Sequence, residues 1–164
     1  MVESGIMYYI YLIGHFVLAL IWLISALFLD YIFLKKFNKV SMEEKKNLIS
    51  RIRSLSDKTE MIASFFLPLL GVLMLIDGEY WLTIGFMHFK ITIALIAIGL
   101  FHASRGILRK IEVAIDSGDP IKKLYNKYII FRTIVIAFLL CITSTILIFR
   151  GYISTIYLIR SWLI

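Results

Sequence analysis

Three histidines and a lysine stand inside stretches that are otherwise apolar enough to cross a bilayer: His15, His88, Lys90 and His102. Ionisable groups in such stretches are costly and ordinarily face a protein interior, a cavity or a cofactor. Neutral imidazole ligates haem iron and copper, and a bis-histidine iron site needs two imidazoles at one depth on facing helices. If helix one begins near Met7 and helix three near Tyr80, His15 and His88 each lie about eight residues in, roughly 12 Å below the same boundary. That match makes them the candidate metal ligands. The competing expectation is that each is a polar packing residue, hydrogen-bonded across helices.

His102 follows His88 by fourteen residues, on nearly the same helical face and roughly 20 Å further along the axis. That spacing suits a second, stacked haem, for which Met61 is the one nearby partner. The alternative joins His102 to Asp30, Glu60, Arg105 and Arg132, all near one end of the spans, where ion pairing and snorkelling suffice. Arg105 and Arg132 are also fit to bind a ligand carboxylate or propionate. Lys90 lies about ten residues in, near mid-span, with no acid at its depth in helices one, two or four. Its expected partner is a bound ligand, water or a backbone carbonyl, which makes it the candidate catalytic residue.

The elements that must position these groups are helices. Of the 164 residues 60% are hydrophobic, and the mean hydropathy of +0.88 lies outside the soluble globular range. Apolar residues fall in four blocks of about spanning length, predicting helices over 7–34, 59–76, 81–105 and 128–149. The expectation is an all-α integral membrane four-helix bundle forming a single domain over 1–164. The first block lacks a basic leading region and is too long to read as a cleaved signal peptide. Lone Cys141 leaves no intrachain disulfide and no cysteine zinc site.

The net charge of +7 raises nucleic acid, but its placement argues against that partner. Eight basic residues lie between Lys35 and Lys58 and six between Arg105 and Lys127. The N-terminus and the 77–80 turn have none. By the positive-inside rule both loops face the cytoplasm and both termini face outward, in a cytoplasmic (inner) membrane.

Along helix one His15, Ala19, Trp22, Ala26 and Leu29 share a face whose small alanines admit a neighbour or a flat cofactor. Residues 41–58 read as an amphipathic cytoplasmic helix opened by a Ser41–Glu44 capping box. Its stripe of Leu48, Ile49, Ile52 and Leu55 suits the anionic inner leaflet, with a partner protein as the alternative. Pro68 predicts a kink in helix two. Asp119 reads as an N-cap and Pro120 as the first residue of the following helix. The tail 153–164, with Tyr157, Arg160 and Trp162, reads as a short C-terminal interfacial helix.

His15 with Trp22 seven residues on, Met87-His88-Phe89-Lys90 opening helix three before an apolar run to Gly99, and Pro68-Leu-Leu-Gly71 together resemble the HemJ-type membrane protoporphyrinogen oxidases. The resemblance covers nearly the whole chain and extends to the membrane domain of copper-resistance protein D. It implies haem b held through His15, a functional lysine at Lys90, and oxidation of protoporphyrinogen IX with electrons passed to the respiratory chain. The chain departs from that pattern in three places. Asp30-Tyr31 stands where the family has Pro-Arg, Phe101 stands where it has a later histidine, and Phe131-Arg132-Thr133 replaces a Glu-Val-Pro-like element.

The function expected is a haem-b-binding redox protein with Trp22 and His102 also near the cofactor. Its partners would be the lipid bilayer and a small porphyrin or quinone, and a homo-oligomer is open to it. The alternative is a non-enzymatic protein that handles copper or haem through His15, His88 and neighbouring methionines, since soft ligands suit Cu(I). The charge asymmetry yields a first testable expectation. In a Cys141→Ser background a cysteine at Ser54 should resist an impermeant thiol reagent in intact cells and react after permeabilisation. Labelling in intact cells would invert the orientation.

Overall fold

The computed structural model describes residues 2–77 and 85–162, with side chains over 6–76, at 85 and over 87–144. Five helices follow one another: α1 (Val2–Lys36), α2 (Met42–Lys58), α3 (Glu60–Asp77), α4 (Gly85–Ser117) and α5 (Lys122–Trp162), with a 3-10 turn at Phe37–Lys39. No strand occurs among the described residues. Among the described residues four helical stretches are long and apolar enough to cross a membrane. The turn at 78–80 and Trp81 lie outside the described residues.

Local chemistry sets several boundaries. Ser41 caps α2 as expected, its hydroxyl accepting from the Glu44 N–H while the Glu44 carboxylate accepts from the Ser41 N–H. Only Thr59 (φ −120°, ψ −71°) separates α2 from α3, and backbone bonds from Thr59 to Leu55 and from Ala63 to Thr59 carry the ladder across it. The end of α4 departs from expectation. Gly118 adopts φ +74°, and the Asp119 N–H reaches back to the Ala114 carbonyl at 2.9 Å. That is a glycine C-terminal cap, so Asp119 closes α4 instead of opening α5, which begins at Lys122. At the far end α5 runs unbroken through Gly151 to Trp162, so the tail continues α5 and is not a separate interfacial helix. A single glycine costs a helix only about 1 kcal/mol.

Helix α1 packs along α3, and α4 along α5; α5 also meets α1, while α2 meets α1, α3 and α4. The buried residues form two apolar cores. One, at the end carrying both basic loops, gathers Leu29, Phe33, Phe37, Ile49, Ile52, Ile107, Leu108, Ile111 and Tyr128. The other gathers Trp22, Leu23, Ala26, Ala63, Phe101, Val135 and Leu139. Beyond this second core the bundle is thinly packed. Among the described residues, none of α1 before Trp22, of α3 after Ser64 or of α4 before Ala97 is buried.

The first core corrects the reading of α2 as a helix on a lipid surface. Ile49 and Ile52 are fully buried against α1 and α4. The polar edge of α2 is tied to α4 by Arg53–Glu112, Lys46–Asp116 and Asp57–Arg105 ion pairs. The reason is length: α1 reaches Lys36 and α4 reaches Ser117, past the expected spans, and the apolar side chains of those extensions need a cover. Phe33 is central, with ring centroids 4.6 Å from Phe37 and 4.7 Å from Tyr128, while Phe37 stacks on Tyr125 at 5.0 Å. Phe33→Ala should therefore destabilise the protein by about 3–5 kcal/mol, whereas exposed Phe28→Ala should cost far less. Thermal unfolding in detergent checks the contrast.

Candidate functional site

Two groups of polar side chains interrupt the apolar interior. The first is built on α1 and α3. His15 Nδ1 lies 3.0 Å from the Leu67 carbonyl. A carbonyl only accepts, so Nδ1 carries the proton, and in the neutral ring Nε2 keeps its lone pair. The local sequence makes room for this bond. Gly71, one turn on from Leu67, lies flush with the imidazole: a Cβ there would sit 3.5 Å from His15 Cε1. Gly14 brings the helices close, since its absent Cβ would stand 3.1 Å from Leu70 Cδ1. Pro68 follows directly and removes a backbone donor from this turn of α3.

Lys90 of α4 is half-buried and lies within electrostatic reach of His15. No acid pairs with it among the described residues. His88, two residues earlier, is about 200° around the helix from Lys90 and is exposed. Of the two, Lys90 is the half-buried one and lies within electrostatic reach of His15, while His88 is exposed. His102, on the His88 face, is exposed as well. It stands apart from the acid and arginine cluster that the sequence allowed it to join. The inward position is its neighbour, fully buried Phe101.

Trp22, a heptad beyond His15, is 97% buried and packs edge-on against Phe101 at 5.6 Å, yet its indole Nε1 has no hydrogen-bond partner. A buried donor left unpaired is uncommon and calls for an acceptor.

The second polar group lies between the two cores. Arg132 Nε is 2.8 and 2.9 Å from the two Asp30 oxygens, and its Nη2 donates to Glu60 at 2.7 Å and to the Ala26 carbonyl at 3.4 Å. Ser56 donates to the other Glu60 oxygen at 2.6 Å, and Tyr128 donates to Asp30 at 3.4 Å. Arg105 is bonded to Asp57 and to Ser56. Both guanidinium groups also lie over the Phe101 ring, at 5.8 and 6.0 Å. Asp30, Glu60, Arg105 and Arg132 do come together, as the sequence suggested, but both arginines are held by the protein's own carboxylates. Sequence reasoning missed Ser56, Asp57, Tyr128 and Phe101. The last two each precede a buried arginine by four residues, one helical turn, which was the available signal.

Set against known protein families, curated proteins and solved structures, the chain matches none.

The shared guanidinium gives a direct expectation. Arg132→Leu leaves two buried carboxylates without their cation and should destabilise the protein by about 3–5 kcal/mol. Adding Asp30→Asn and Glu60→Gln to it should recover much of the loss. Unfolding in detergent at fixed pH checks both, and full stability of the single variant would show that the carboxylates do not depend on Arg132.

Proposed function

We propose that this protein is a multi-pass protein of the cytoplasmic membrane in which His15 would hold haem b. Its basic loops and α2 face the cytoplasm. In this reading it takes electrons from a small reduced donor, of the porphyrinogen kind, and passes them to a quinone or cytochrome. One observation carries the reading: the bond from His15 Nδ1 to the Leu67 carbonyl. Ligating histidines characteristically donate their other ring N–H to a carbonyl or carboxylate, which fixes the ring and leaves the second nitrogen as the donor to metal.

The surroundings fit such a group. With Arg105 and Arg132 engaged elsewhere, Lys90 is the cation placed near His15 and without a carboxylate, suited to a propionate or a substrate carboxylate. Trp22 offers an unpaired N–H on the same face of α1. Before Trp22 on α1, after Ser64 on α3 and before Ala97 on α4 no described residue is buried, and a flat molecule would sit there, between the pairs α1–α3 and α4–α5. Bound haem would supply the one-electron couple that no side chain here provides. His15 orients it, Lys90 balances its charge, and the apolar walls keep water away.

The test is the absorption spectrum of the purified protein, oxidised and reduced, from cells supplied with haem precursor. Wild type should carry a Soret band with visible bands that sharpen on reduction. His15→Ala should lose it, while His88→Ala and His102→Ala keep it. Gly71→Ala should be tolerated at its 3.5 Å contact, whereas Gly71→Leu drives the imidazole from its carbonyl and should cut haem occupancy tenfold or more. A colourless wild type that binds copper would replace this reading with the metal-handling one. Complementation of a strain lacking its own protoporphyrinogen oxidase then decides the substrate, with Lys90→Met expected to slow turnover about tenfold, roughly 1.4 kcal/mol of barrier.

A further inference from the structure

The polar layer between the two cores takes no part in that reading, and its charges do not balance. Along it Asp57, Arg105, Glu60, Arg132 and Asp30 alternate in sign, with Ser56 linking Arg105 to Glu60: three acids stand to two guanidinium groups. Asp57 is 48% exposed, so water and Arg105 hold its charge. Inside, Asp30 (7% exposed) and Glu60 (1% exposed) share Arg132.

The donors are shared unequally. Glu60 has one for each oxygen, from Arg132 and Ser56. The Asp30 oxygens divide the single hydrogen of Arg132 Nε, and the Tyr128 hydroxyl stands at a long 3.4 Å. Arginine does not give up its proton in proteins. A buried carboxylate short of donors, beside a second carboxylate, is relieved by taking a proton.

We propose that Asp30 and Glu60 form a proton-binding site, holding one proton between them. The Ser56 hydroxyl accepts from Arg105 and donates to Glu60, on the side of the pair nearer the loops. The only covalent change is that one carboxylate takes a proton from water and becomes a carboxylic acid. The groups facing the pair are Ser56 and Asp57 of α2, Arg105 of α4, and Arg132 and Tyr128 of α5; His102 of α4 points outward. This site stands apart from the haem reading and does not require it.

The experiment is infrared spectroscopy of the full-length chain in lipid nanodiscs at neutral pH, comparing light and heavy water. Wild type should show a protonated-carboxyl C=O band that shifts down in heavy water. Asp30→Asn or Glu60→Gln should abolish it. Asp57→Asn, at the exposed carboxylate of the row, should keep the band. Should the buried variants fail to fold, wild type carrying heavy carbon in its aspartate or glutamate carboxyls reports instead, with the band moving under one label. A wild type without the band, a band that survives both variants or moves under neither label, or a band lost in Asp57→Asn would overturn the proposal.

Discussion

The Arg132 guanidinium, held between Asp30 of α1 and Glu60 of α3, is the contact on which the arrangement of the helices depends. Apolar cores are permissive about rotation and sliding, because one aliphatic contact is much like another. A planar guanidinium with a carboxylate at Nε and another at Nη2 is not. It fixes α5 against α1 and α3 together, and through Glu60 and Ser56 it reaches α2 and Arg105 on α4. Four of the five groups in this row are buried, so a slip of one helix would strand a charge. The cores on either side fill space around a register that the polar layer sets.

That layer also divides the molecule's labour. On the loop side, aromatic packing of Phe33, Phe37, Tyr125 and Tyr128 makes a dense, closed bundle end with α2 as its cover. On the other side no described residue of α1, α3 or α4 is buried beyond the second core, and there His15 and Lys90 are found, with the unpaired Trp22 N–H inside that core. His15 and Lys90 thus project from helices whose far halves are closely packed.

The sequence made the helices legible, because length and unbroken hydropathy leave a spanning segment little alternative. The Ser41–Glu44 cap and the Asp30, Glu60, Arg105 and Arg132 grouping were equally plain, since depth along a helix follows from counting residues. Rotation did not follow. His15 and His88 count to one depth, but depth says nothing of the direction in which a side chain leaves its helix: Lys90 is half-buried and His88 exposed. Likewise the stripe on α2 announced an apolar partner without saying whether lipid or protein. What decided it was the overhang of α1 and α4, which hydropathy windows cut off too early. At Asp119-Pro120 the eye-catching proline concealed the cap made by Gly118.

The order of the charges along the chain bears on biogenesis. Asp30 and Glu60 emerge in the first and third helices, whereas Arg132 arrives in the last. Until α5 is synthesised, two acidic groups sit in nascent segments with no cation to accompany them, and a retained water shell or a temporary escort must serve. A chain truncated before Arg132 would leave both carboxylates without the guanidinium they share, so the bundle's polar layer is completed only by its final helix.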